Sequence, residues 1–283
     1  MADAPALITD SSACVPPSSV DRHGVAVVPI SVQIGSSEYR DGVDLKPEAL
    51  YQALARGQSV KSAAPSAFDY LDAVEAGGRP AVIVTPAREF THMYRNAALA
   101  AEMASVAVTV VDSRSATAGH GLVVMAAAEA REAGGGVDDV VAAAEDASER
   151  VDLVACLESL DHLRESGRVP AMALGLANHL GLRPVFRMRD GIAERVALPR
   201  SERGALDRLV RSWRDGGGRE SPRSAVFHAA RPDRAHELSQ RLGGATFVTE
   251  FSAAMGIHTG PGLVGVAWLR PADLVDADDG DGL

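Results

Sequence analysis

Three short segments, far apart in the chain, place hydroxyl or imidazole groups where the backbone is constrained. In VKSAAPS (60–66), Ser62 and Ser66 bracket Pro65. In TPAREFTHMY (85–94), Thr91 stands where a helix should begin, near Phe90 or Thr91 itself, with Arg88 and His92 close by. In HTGPGLVGV (258–266), His258 precedes a turn forced by Thr259, Gly260, Pro261 and Gly262. Two hydroxyls and an imidazole form a donor set suited to a small anion. A helix start adds backbone N–H groups and its positive end, and glycine lets a ligand approach the backbone. Each residue also has an ordinary structural account. Ser66 can cap the helix that follows it, Thr91 can be a plain capping residue, and a histidine before a turn is commonly structural. Ser62 is the hardest to explain as a cap, because it stands four residues too early. Spacing alone does not show that the three converge.

Other chemistries find less support. No GxGxxG follows a strand, and GxxxxGK[ST] and GxSxG are absent. The eight histidines are scattered, without metal-ligand spacing. A Ser-His-Asp hydrolase assembled from Ser62, His258 and Asp10 is formally available, but nothing local would activate the serine. Cys14 and Cys156 fit no metal motif and are too few for a disulfide framework. Cys156, within VDLVACL, reads as a small buried apolar residue.

With 283 residues, 46% hydrophobic and 23% charged, the chain can bury a sizeable core in one large domain or two. A net charge of −10 argues against a nucleic-acid or anionic-membrane surface. The N-terminus has no signal-peptide pattern, and no apolar run reaches the ~18 residues of a membrane span. The expectation is a soluble, cytoplasmic protein.

The elements that must position these residues read as short apolar runs between helical patterns. Strands are expected at 6–9, 25–34, 81–85 and 106–112, and helices at 47–57, 90–104, about 118–133 and 137–151. Such alternation predicts a mostly parallel sheet covered on both faces, with ligands beyond the carboxyl ends of its strands. Those ends are Asp10-Ser11-Ser12, Thr85-Pro86 and Asp112-Ser113, although Asp and Ser also cap any helix that follows a strand. The second half reads as a mixed α+β unit. It has strands at 152–159, 224–230, 245–251 and 263–269, a hairpin around Asp190-Gly191, and helices at 161–168, 170–180, 204–217 and 233–243. The expected domains are 1–152, a three-layer α/β/α parallel-sheet domain, and 153–272, a two-layer α/β mixed-sheet domain. The acidic stretch 273–283 is expected to be disordered.

Eight segments, in order, resemble the DegV family of bacterial fatty-acid-binding proteins. They are ITDSSA (8–13), VVPISV (27–32), DGVDL (41–45), KSAAPS (61–66), VDSRSATAGHGLVV (111–124), LDHLRESGRV (160–169), RPVFRMRDGI (183–192) and HTGPGLVGV (258–266). The resemblance implies a two-domain α/β fold with a buried acyl chain. The protein would then be a carrier, with no cofactor, that presents a long-chain fatty acid to a separate fatty acid kinase for acyl-phosphate formation. It places the carboxylate at Ser62, Thr91 and His258, beside Thr259 and Gly260, and matches Arg200 to a phosphate or kinase contact. The chain departs from the family pattern at 85–94, where His92 replaces a glycine, and in the loop, where Ala64 replaces a glutamine. Two other readings accompany this one: a dihydroxyacetone-kinase-like substrate subunit using His258, and a diverged scaffold with an altered ligand.

Overall fold

The computed structural model describes residues 4–165 and 181–272. The helix expected at 170–180 and the tail at 273–283 lie outside the described residues.

Two sheets share one helix. The first is fully parallel, in the order β2 (Ala26–Val28), β1 (Ala6–Asp10), β6 (Ala81–Thr85), β7 (Val108–Asp112). Every residue of β1 and β6 is buried, as expected for a parallel strand covered on both faces. Alternate side chains serve alternate cores. Ala6, Ile8, Ala81 and Ile83 pack on α3 (Ala67–Gly77) and α4 (Met93–Met103) through Tyr70, Val74, Ala97 and Ala100. Leu7, Val82 and Val84 face α5 (Thr117–Glu132) and α6 (Val137–Arg150).

The second sheet is mixed, in the order β10 (Ile192–Ala197), β9 (Val185–Arg189), β8 (Val151–Cys156), β13 (Val264–Leu269), β11 (Ser224–His228), β12 (Phe247–Glu250). Asp190 and Gly191, at φ 51° and 76°, form the expected two-residue hairpin between β9 and β10. One face packs on α8 (Glu202–Asp215) and α9 (Pro232–Leu242) through Leu206, Leu209, Trp213 and Leu238. The other face, with Leu153, Ala155, Phe227 and Ala267, packs on α5. Helix α5 is therefore enclosed by both sheets, and eleven of its sixteen residues are buried. Its glycines permit this. A Cβ on Gly121 would sit 2.6 Å from the Ala13 carbonyl oxygen, in the tight turn Ser11–Ala13 that ends β1.

A third, small sheet differs from the sequence expectation. The segment 25–34, read as one β-rich run, divides at Pro29. Its second part becomes β3 (Ser31–Ile34), between β4 (Ser37–Arg40) and β5 (Val60–Ala63). Residues 60–66, expected to be a loop, thus begin as an edge strand. The period-2 signal is weak because Lys61 and Ala63 are exposed and only Val60 and Ser62 turn inward. Helix α2 (Pro47–Ala55) packs on this sheet through Leu50, and α1 (Pro17–His23) packs on α5. Two short helices complete the elements among the described residues, α7 (Asp161–Glu165) and α10 (Ala253–Thr259). The sequence reading had no helix at α10, because Gly256 interrupts the pattern. The glycine is there for close approach: a Cβ would come 2.9 Å from both Leu50 Cδ2 and the Tyr51 hydroxyl of α2. Among the described residues, no helix is long and apolar enough to cross a membrane.

His120 of α5 is completely buried. Its Nε2 lies 3.0 Å from Thr9 Oγ1 and 3.1 Å from the Val84 carbonyl oxygen, which also accepts the Thr9 hydroxyl. Both neighbours offer acceptor lone pairs, so Nε2 carries the proton of a neutral ring. Burial lowers its pKa from the ordinary 6.5. The unfolded chain therefore binds the proton first as pH falls. The stability this group contributes is complete above 6.5 and is lost below it, down to the lowered folded-state value. The melting temperature should fall from pH 7 to pH 5, and His120→Gln should flatten that slope. Parallel slopes for the two proteins would contradict the assignment.

Candidate functional site

The structure joins two of the sequence candidates directly. Ser62 Oγ lies 3.2 Å from His258 Nε2, across 196 positions of chain. Ser62 is carried by β5, where it is register partner to Val32 of β3. His258 is carried by the last turn of α10. Both are half-buried. They adjoin an apolar floor: Val32, the ladder partner of Ser62, and Ile257, next to His258 in the chain, belong to one buried cluster with Leu50, Met93 and Ala254.

Helix α4 begins at Met93, later than the Phe90 or Thr91 expected, and the Thr91 hydroxyl accepts the Met93 N–H at 3.1 Å, inside its own turn. Among the described residues it makes no bond to Ser62 or His258. The segment is held near them in two other ways. Met93 enters the floor that adjoins the pair. Asn96 Nδ2 donates to the Pro65 carbonyl at 2.7 Å, which ties α4 to the chain following Ser62. Asn96 was not singled out from sequence, because an amide inside a helical pattern carries no local signal. Arg88 bonds Asp112 Oδ2 at 2.7 Å and stacks 4.7 Å over the Tyr94 ring, which anchors 85–94 to the end of β7. Ser66 caps α3 in a capping box with Asp69.

One further possibility raised by the sequence is corrected. Asp10 is no partner of His258; it accepts the Ser12 N–H and the Tyr70 hydroxyl in the interior. That geometry removes the Ser-His-Asp arrangement. The polar end of β1 holds the following turn in shape: Ser11 bonds Asp41, and Ser12 bonds back to Asp10. Arg200 is exposed in the turn before α8 and makes no ion pair among the described residues.

The turn after α10 is overlain by 158–162. Gly260 has φ 66° and ψ −179°, a region essentially restricted to glycine. The His162 ring lies directly where a Gly260 Cβ would project, and the Glu158 side chain does the same at Gly262. Glu158 also pairs with Arg183 at 3.6 Å. Thr259 Oγ1 donates to the Gly260 carbonyl at 3.2 Å, within the turn. His162 and Glu158 were not legible, since their role depends on contact with a turn a hundred residues away.

At the other end of α10, a cleft of about 310 Å³ is lined by Cys14, Val15, Asp41, Leu45, Thr249 and Ser252, among others. Burial pushes the Cys14 thiol up to about 12, so it stays protonated and packs as an apolar group. The described residues contain no cluster of three metal-ligating side chains.

Residues 5–271 match a family model described as "Uncharacterised protein, DegV family". The chain belongs to the DegV family. A DegV domain-containing protein of Streptomyces coelicolor is 33% identical over 271 residues, covering 92% of this chain and 96% of that one. A DegV family protein from Thermus thermophilus, solved as a study of its fatty acid binding, superposes with a TM-score of 0.86. It is 26% identical and covers 94% of this chain and 99% of its own. DegV of Bacillus subtilis, a fatty acid binding protein, superposes with a TM-score of 0.84 at 22% identity, covering 94% and 99% of the two chains. At that identity, the second likeness speaks to the DegV fold alone.

Gly260→Ala should cost this DegV chain about 1–3 kcal/mol, because the backbone region is closed to a Cβ and the His162 ring occupies the space. Chemical denaturation would measure it. A change within a few tenths of a kcal/mol would contradict the reading of the turn.

Proposed function

We propose that this protein is a cytoplasmic carrier that binds a long-chain fatty acid, holds its carboxylate at Ser62 and His258, and presents it to a separate kinase. The observation that carries the proposal is the 3.2 Å contact between Ser62 Oγ and His258 Nε2. It sets a hydroxyl and an imidazole side by side next to an apolar floor. The likeness to the Thermus thermophilus protein, at 26% identity over nearly the full length of both chains, supports the same reading.

The chemistry is consistent. A buried carboxylate left unpaired costs several kcal/mol. Each buried CH₂ returns about 0.8 kcal/mol, so a sixteen-carbon tail offers roughly 10 kcal/mol or more. The tail thus supplies affinity, and the head must be hydrogen-bonded for the balance to hold. A protonated imidazole and a hydroxyl both donate to a carboxylate, and charge-assisted bonds are the stronger kind. In this account, the ligand's oxygen replaces the mutual Ser62–His258 bond. Thr91 turns its hydroxyl from Met93 to the head, and Thr259 and Gly260 shape the wall. The kinase would bring the nucleotide and transfer a phosphoryl group to the carboxylate oxygen. Arg200, exposed and without an ion pair among the described residues, is suited to that partner or to the new phosphate.

Native mass spectrometry of protein purified from cells should show a co-purified acyl chain, and delipidated protein should bind palmitate. Ser62→Ala and His258→Ala should each weaken palmitate binding about tenfold or more, as expected for a lost hydrogen bond to a charged group, about 1.5–3 kcal/mol. The ligand-free melting temperature should stay unchanged. Delipidated wild-type protein that binds no fatty acid would overturn the proposal. A mass shift with dihydroxyacetone, abolished in His258→Ala, would replace it with covalent ketone capture. An empty protein that binds neither would mark a diverged scaffold.

A further inference from the structure

The two donors hang from different elements, Ser62 from the small sheet and His258 from α10. Something must therefore fix the distance between those elements. We propose that Asp41 is the positioning residue that sets the Ser62–His258 spacing, by joining the small sheet to the start of α10. The inference rests on reading that pair as the carboxylate site.

Asp41 directly follows β4. Its backbone N–H donates to the Ile30 carbonyl at 2.9 Å, and it forms an isolated bridge with Leu45. Its backbone is thus locked to the residue that leads into β3, and β3 pairs Val32 with Ser62. The side chain is buried, at 2% exposure. Its Oδ2 accepts the Ser11 hydroxyl at 2.7 Å, and that hydroxyl in turn accepts the Ile30 N–H at 3.2 Å. The carboxylate lines the same cleft as Ser252 and Ala253, at the start of α10, where the Ser252 hydroxyl and the Ala253 and Ala254 backbone act on it. These groups favour its charged form without closing a hydrogen bond to Oδ1 among the described residues. A negative charge at this end of a helix is favourable.

Helix α10 has seven residues, too short to hold its own direction. Its neighbours set its axis. Leu50 and Tyr51 of α2 lie against Gly256, and the Ser252 N–H reaches the Cys14 sulfur at 3.5 Å. Asp41 is the charged member of this seat. His258 lies in the last turn, about 9 Å along the axis from Ser252, so a small tilt at the start displaces the ring. Burial raises the Asp41 pKa, while the Ser11 hydroxyl and the start of α10 act in the opposite sense.

The test is a double-mutant cycle on delipidated, full-length protein with palmitate as the probe. Asp41→Asn should weaken palmitate binding about tenfold, equivalent to about 1.4 kcal/mol. In a His258→Ala background the same substitution should change binding less than about twofold. Ser11→Ala, a milder loosening of the same seat, should show the same dependence on His258 and serves if Asp41→Asn does not fold. An effect of equal size in both backgrounds, or none in either, overturns the proposal. If the wild-type protein binds no palmitate, the carboxylate-site reading fails and this inference falls with it. Wild-type binding with an Asp41 effect independent of His258 sinks this inference alone.

Discussion

A helix apolar on every side has to be enclosed, and α5 is enclosed by two sheets at once. The rest of the structure follows from that. The parallel sheet presents Leu7, Val82 and Val84 to one side of α5, and the mixed sheet presents Leu153, Phe227 and Ala267 to another. The helix can sit this deep because Gly121 lets the turn after β1 lie against it. That turn ends at Cys14, at φ 49°, whose carbonyl accepts the Thr249 hydroxyl at 2.7 Å and whose sulfur meets the Ser252 N–H. The packing of one helix is thereby transmitted to the entry of α10, and so to the histidine at its far end.

The candidate site is built from parts that fold separately. Ser62 comes from an edge strand, His258 from a two-turn helix, and the Thr91 segment from the start of α4. Only tertiary packing brings them together. This explains the density of polar bonds around parts of the chain that do no chemistry themselves. Asn96 ties the start of α4 to the chain after Ser62, Arg88 ties 85–94 to the end of β7, and Ser11 ties the turn after β1 to Asp41. Buried polar groups bound in this way define one arrangement more narrowly than apolar contacts do, because each lost partner leaves a costly orphan. The Gly260–Gly262 turn has the same logic in steric form. A Cβ is absent at Gly260 and Gly262 because His162 and Glu158 fill the space.

Much of the fold was legible from the chain, for physical reasons. The strands of the parallel sheet are continuous apolar runs between helical patterns, and Asp190-Gly191 is a turn dipeptide that needs no context. The failures are instructive. Val60–Ala63 pairs only on one side and exposes alternate residues, so its strand character depends on β3. Helix α10 was missed because Gly256, required by contact with α2, resembles a breaker. At the site, Ser62 was recognisable as a hydroxyl placed too early to cap the next helix, and His258 through the resemblance carried by HTGPGLVGV. Asn96, His162 and Asp41 were not, since each acts through a partner distant in sequence. The helix expected to begin near Phe90 or Thr91 begins at Met93, and the Thr91 hydroxyl is engaged locally with the Met93 N–H.

The central claim is that Ser62 and His258 form one headgroup site for a fatty acid carboxylate. The most direct measurement is the ¹³C spectrum of palmitate labelled at its carboxyl carbon, bound to delipidated protein. The account predicts a single bound carboxyl resonance, distinct from free palmitate, that moves in Ser62→Ala and in His258→Ala. A bound resonance at the same position in all three proteins would contradict it, because the carboxylate would then lie elsewhere.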